Sequence, residues 1–416
     1  MNPFNENPMD LMKSFENWEQ IYPKPYNKDE VDPYTKTRII LMNGTEFEQN
    51  WFQRQFARHC DDNDLRRELA LIRRIEQQQQ RKIAVLKPAN ESILEHTISY
   101  EQLAVDLTAI LAQREPDPYV KMTLDFALLE DFDHLYRYGD LLEMEQGARA
   151  DKLVGKYTEV MPGRPTIAEH RFPMDNVRGH IDNRKADPIT RLNVAIITAA
   201  EQQTMNYYMN VVNAQNSDIG RKLYQEIGLI EEQHVTQYEC LMDPNPSWFE
   251  QLLCHEYTEC YLYYSCYMEE TDKEIKELWR QNFDLELAHL HKAVELLQKY
   301  EKKDWQQVIP KGDFPTLLNL RSNIAYVREI LANTVRLTSE GEDYVEVDNL
   351  SKDSKFAWFQ KEVDGRDDIV PSHCVIRSYI EKNGEDYRYQ TEEHPIPELQ
   401  IRTADNTTVG RPESIN

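Results

Sequence analysis

Glutamate and histidine recur in this 416-residue chain at a spacing that could hold a metal. Glu201 stands 30 residues before Glu231-x-x-His234, and Glu256 stands 30 residues before Glu286-x-x-His289. A third copy, Glu101 followed after 30 residues by Asp131-x-x-His134, keeps the interval with aspartate in the first acidic place. Carboxylate oxygens and imidazole nitrogens are donors that iron and manganese accept, and residues i and i+3 lie on one helix face. A single E-x-x-H means little in a chain with 11 histidines, because it usually lies on a solvated face. The repeated combination is far more specific. These glutamates also interrupt apolar runs, with Ala199 and Ala200 before Glu201, and Leu285 and Leu287 about Glu286. A carboxylate buried in such surroundings needs a compensating cation, which a metal or a salt bridge would supply.

The elements that position these groups follow from stop and start signals. Asp117-Pro118 and Asp187-Pro188 each read as an N-cap followed by proline in the first helical position. Ser99-Tyr100-Glu101-Gln102, Ser247-Trp248-Phe249-Glu250 and Thr271-Asp272-Lys273-Glu274 read as capping boxes. The resulting hairpins turn near residues 116, 216 and 271. Each lone glutamate and its paired E-x-x-H (D-x-x-H in the first) then sit about 15 residues either side of a turn, roughly 22 Å from it at 1.5 Å per residue. They share one level on adjacent antiparallel helices, so each hairpin aims two carboxylates and one imidazole at one point.

Elsewhere the texture varies. Residues 1–62, interrupted by Pro3, Pro8, Pro23, Pro25 and Pro33, read as an arm wrapping the core. A helix is expected from Asp64 to about Val85, with Gln77 to Gln80 on a solvated face. Residues 148–186 read as a long connection whose Arg171, Arg178, Arg184 and Lys185 are solvated. A further helix is expected from Thr316 to about Leu337, then strand-like YVEVDNL and a β-hairpin about Asn383-Gly384, with an extended or disordered tail from about Pro395. The expected fold is mainly α: a helical bundle of six or more long helices, with three helical hairpins and a small β-containing C-terminal appendage. The division along the chain is 1–98 as arm and helix, 99–300 as helical core, and 301–416 as C-terminal helix and appendage.

The set Glu201, Glu231-x-x-His234, Glu256 and Glu286-x-x-His289 resembles the ligands of the ferritin-like di-metal carboxylate superfamily, whose bundle contributes two lone glutamates and two E-x-x-H motifs. That superfamily includes bacterioferritins, rubrerythrins, manganese catalases and di-iron oxidases and oxygenases. The resemblance covers roughly residues 99–300 and implies a ferritin-like helical bundle, enlarged here to six or more long helices. It implies Glu231 and Glu286 as bridges between two metals, His234 and His289 as caps, and Glu201 and Glu256 as terminal ligands. The implied cofactor is two iron ions, with manganese the alternative. The implied chemistry is activation of O2 or peroxide and oxidation of a small-molecule substrate, with an electron donor protein. The chain has one hairpin more than the superfamily needs. Pairing of the second and third hairpins is favoured, Glu101, Asp131, His134, Glu201, Glu231 and His234 form the rival set, and pairing across a homodimer axis is a third arrangement. Other functional readings are a storage or detoxification protein, a manganese-catalase-like peroxidase, and a non-catalytic scaffold with buried salt bridges.

Tyr208 and Tyr263 each fall seven residues after a lone glutamate, on the same helix face. They would donate hydrogen bonds or relay an electron, against the plainer reading of aromatic core packing. A net charge of −25 repels phosphate backbones and anionic lipid, so neither nucleic acid nor a membrane surface is an expected partner. The six cysteines form no C-x-x-C pair, which argues against zinc ribbons, rubredoxin-type centres and a typical rubrerythrin. Reduced thiols and the absence of a signal-peptide pattern give a cytoplasmic expectation.

Overall fold

A computed structural model describes residues 1–384, 386–389 and 394–400. The helices are α1 (Pro33–Arg58), α2 (Asn63–Ala84), α3 (Ile93–Arg114), α4 (Pro118–Gln146), the short α5 (Ala150–Val154) and α6 (Thr166–Glu169), and α7 (Pro188–Val211). They continue with α8 (Asp218–Leu241), α9 (Trp248–Glu269), α10 (Lys273–Glu301), α11 (Ile324–Thr334), α12 (Lys355–Val363) and α13 (Pro371–Asn383). Strands β1 (Leu337–Glu340) and β2 (Asp343–Glu346) make one antiparallel hairpin, with Leu337 opposite Glu346. The chain is therefore mainly helical with a small two-stranded sheet near its C-terminus. No described helix is long and apolar enough to cross a membrane.

Side-chain caps start the long helices where their free amides need acceptors. Asp117 accepts from the amides of Tyr119 and Val120 at the start of α4, and Asp187 accepts from Ile189 in α7. Ser247 and Glu250 make the expected capping box of α9. Two starts differ from expectation. α3 opens on a capping box of Ser92 and Glu95, so Glu101 lies two turns inside the helix and not in a fraying first turn. α10 is capped by Asp272, which accepts from Glu274 and Ile275.

The contacts divide the chain into two compact units that do not follow the sequence-order division 1–98, 99–300 and 301–416. The first unit is residues 1–91, 182–203 and 243–320; the second is 92–181, 204–242 and 321–416. In the first, hairpins α1–α2 and α9–α10 pack through α1 and α9. The start of α7 joins them where α1 carries Gly44, at which a Cβ would come within 2.7 Å of Gln203. In the second, α3–α4 form a hairpin, α8 packs on α4, and α13 lies against both α4 and α8. Its apolar core includes Val105, Leu128, Phe132, Met161 and Leu331.

Several expectations are corrected. Residues 33–58 are a helix, not part of an arm. The pattern was obscured because the inner face of α1 is polar, with Thr37, Glu46, Gln49 and Gln53 buried. Gln79 is buried, not solvated. Arg171 and Arg178 are buried too, whereas Lys185 is exposed as expected. The helix expected from Thr316 begins only at Ile324. The hairpin expected about Asn383-Gly384 is helix α13 ended by Gly384 at φ 84°. Val375 and Tyr379, one turn apart, are buried on one face, which satisfies helical as well as alternating spacing. Of the expected tail, Ile396 and Leu399 are buried in a helical turn, and 401–416 lie outside the described residues.

Candidate metal centres

In the second unit, α3 supplies Glu101, α4 supplies Asp131 and His134, and α8 supplies Glu231 and His234, all essentially without solvent exposure. Glu101, His134 and Glu231 each bring one ligand atom to within 4.8 Å of the others, and Asp131, Glu231 and His234 do the same. Glu231 is common to both groups. Its carboxylate lies 3.1 Å from His134 Nδ1 and 3.2 Å from His234 Nδ1. His234 Nδ1 is also 3.1 Å from Asp131.

A second layer orients these groups. His234 Nε2 meets Glu130 at 2.7 Å, so both ring nitrogens of His234 face carboxylates. Glu130 is ion-paired with Arg171 and, at 3.4 Å, with Arg164. Burial pushes Glu130 up, but the charges of Arg171, His234 and Arg164 outweigh it and hold the carboxyl at about 2. Burial likewise pushes Glu231 up, and hydrogen bonds from His134 and His234 bring it down to about 2. Asp131 goes the other way, raised chiefly by burial. The Tyr208 hydroxyl donates to Glu101. Glu201 is buried on α7, in the stretch that belongs to the first unit, two turns before Tyr208 on the same helix face.

The first unit holds a second cluster, which reaches beyond the residues expected from the sequence. Glu256 from α9 and Glu286 and His289 from α10 meet Glu76 from α2, and Glu76 also groups with Glu46 from α1 and Glu259 from α9. All six are buried. His289 Nδ1 lies 2.8 Å from Glu76 and 3.4 Å from Glu286. Gln49 donates to Glu256 at 2.5 Å, Gln79 donates to Glu286 at 2.6 Å, and the Tyr263 hydroxyl donates to Glu46. Burial and the charge of Glu76 raise Glu286 to about 7, and burial with neighbouring carboxylates raises Glu46, Glu256 and Glu259 well above the usual carboxylate range. No lysine or arginine pairs with these five carboxylates among the described residues. Uncompensated, each buried carboxylate costs several kcal/mol.

The favoured pairing of the second and third hairpins is thus overturned. Glu231 and His234 cluster with Glu101, Asp131 and His134 in one unit, while Glu256, Glu286 and His289 cluster with Glu76 in the other. Most of the rival set comes together instead. Glu46, Glu76, Glu259 and Gln79 were missed, although a signal was present: Glu46 stands 30 residues before Glu76-x-x-Gln79, a fourth copy of the interval with glutamine in the histidine place. Tyr208 and Tyr263, expected near their own glutamates, donate instead to Glu101 and Glu46, the lone glutamates of other hairpins.

No family model matches the chain, and no curated protein or solved structure matches it. The residues alone carry the functional reading.

Proposed function

We propose that the second unit holds a di-metal carboxylate centre and that the protein is an oxidase or oxygenase acting on a small-molecule substrate with O2 or peroxide. The observation that carries this reading is the sharing of Glu231 by two buried ligand groups, each with its own histidine. The residues fit a pair of cations: buried carboxylates and imidazoles bring their ligand atoms together, with His134 and His234 each 3.1 Å from the carboxylate of Glu231 or Asp131. Glu231 would bridge, Glu101 and His134 would serve one ion, and Asp131 and His234 the other. Glu201, on the Tyr208 face of α7, is proposed as a further ligand.

Iron, or alternatively manganese, would supply the electron transfers that reduction of O2 or peroxide requires. The protein's part is to hold the ligands in place. Glu130, fixed by Arg164 and Arg171, accepts from His234 Nε2 and so turns Nδ1 toward Asp131 and Glu231. Tyr208 fixes Glu101 by its hydroxyl, and with metal bound it would relay an electron and proton. An electron donor protein would supply reducing equivalents.

Elemental analysis of anaerobically purified protein tests the reading. Wild type is expected to carry transition metal, and Glu101→Ala, Glu201→Ala and Glu231→Ala to lose part of it. Unchanged metal content in all three would sink the proposal. A storage role is the second reading, supported by two buried clusters in one chain; a closed many-subunit shell loading many irons per chain would favour it.

A further inference from the structure

The cluster in the first unit has two unlike ends that share Glu76. One end has Glu256, Glu286 and the imidazole of His289. The other has Glu46 and Glu259, and every ligand atom there is oxygen. Glu259 is the telling residue. It is 1% exposed, its ligand oxygen lies within 4.8 Å of those of Glu46 and Glu76, and neither of its oxygens has a hydrogen-bond partner among the described residues. Glu46 offers a second oxygen in the same condition, its other being held by Tyr263. Gln79 stands where the other hairpins carry histidine; its amide nitrogen is turned to Glu286, and its carbonyl oxygen is unpartnered.

Oxygens separated by up to 4.8 Å can close on one ion at about 2.0–2.6 Å from each, the range of hard divalent cations. The absence of nitrogen and sulfur donors among the described residues at that end selects against zinc and copper and for oxygen-seeking ions. We infer that Glu46, Glu76 and Glu259 form a separate site for a hard divalent cation of the manganese(II) class, beside a histidine-ligated position at Glu256, Glu286 and His289. This site stands in the first unit and does not rest on the oxidase reading of the second.

The test is titration of the metal-free, full-length chain with Mn2+, following free Mn2+ by its electron paramagnetic resonance signal. Glu259→Gln is expected to bind one Mn2+ fewer than wild type, or to bind it at least tenfold more weakly, whereas a His134→Ala/His234→Ala variant keeps that ion. Melting of metal-free Glu259→Gln at or above the wild-type temperature shows that its fold is intact, since the variant removes only a buried charge. Glu46→Gln should reproduce the loss, so that the result does not depend on one variant. Equal stoichiometry and affinity in wild type, Glu259→Gln and Glu46→Gln would overturn the inference. So would loss of the same ion in the histidine variant. Failure of the second-unit reading shows separately, as wild-type metal binding by that histidine variant.

Discussion

Gln79 on α2 donates its side-chain amide to Glu286 on α10 at 2.6 Å, in the place where three other hairpins carry histidine. One amide for one imidazole separates the two candidate centres. The second unit has His134 and His234, and the first has His289 with an additional carboxylate, Glu259.

Replacing Gln79 by histidine should therefore give the first unit the donor it lacks. Gln79→His is expected to raise affinity for Co2+ or Zn2+, ions that take imidazole, by about tenfold or more, with a smaller change for Mn2+. Competition against a chromophoric chelator measures this. An unchanged Co2+ affinity would show that position 79 does not face the ligand set.

The hydroxyls of Tyr208 and Tyr263 separate hydrogen bonding from plain packing. Phenylalanine keeps the ring and removes the donor to Glu101 or Glu46. Leaving a buried carboxyl oxygen without its donor costs about 1–3 kcal/mol. Both Tyr→Phe variants should melt below wild type in the metal-free state. Wild-type melting temperatures would leave only the packing role.

Arg171 and Glu130 form a buried pair behind His234. Arg171→Met keeps much of the side-chain volume but leaves Glu130 with Arg164 at 3.4 Å. Breaking one partner of a buried pair costs about 3–5 kcal/mol, less here because Arg164 stays. Chemical denaturation should show this loss, together with weaker metal binding in the second unit. Retained stability would mean that Arg164 alone suffices.

The shifted carboxyls of the two clusters make stability depend on pH in metal-free protein, each in its own range. In the first, Glu286 is raised from 4.5 to about 7 by burial and Glu76. Burial lowers His289, but Glu76 and Glu286 hold it above its ordinary value. A raised folded pKa gives stability that is complete below the unfolded value and is lost as pH rises through the folded one. For Glu286 the loss is on the order of 3 kcal/mol. In the second unit, Glu231 and Glu130 lie at about 2, so their contribution is present above 4.5 and lost as pH falls through about 2. Hydrogen exchange, corrected for its intrinsic pH dependence, should show α1, α2, α9 and α10 losing protection between about pH 5 and about pH 8. Bound metal should remove that loss. Increasing protection over the same range without metal would contradict the sign.

The sequence by itself determined the local part of this design. Helix starts at Asp117, Asp187 and Ser247 follow from residues within one turn of each cap. The 30-residue interval places a lone glutamate level with the x-x-His or x-x-Gln motif because rise per residue in a helix is constant. The membership of Glu101, Asp131, His134, Glu231 and His234 in one cluster is legible as one of three arrangements, but not selected. Tertiary structure made that choice, because spacing sets the level of a residue within its own hairpin and says nothing of which hairpin it meets. The α1–α2 hairpin was hidden by its polar inner face. The inner face of α1 carries Glu46, Gln49 and Gln53 where an ordinary core helix carries apolar side chains, so hydrophobic periodicity fails where polar side chains are buried. Only packing against α2 and α9 reveals that those polar residues face inward.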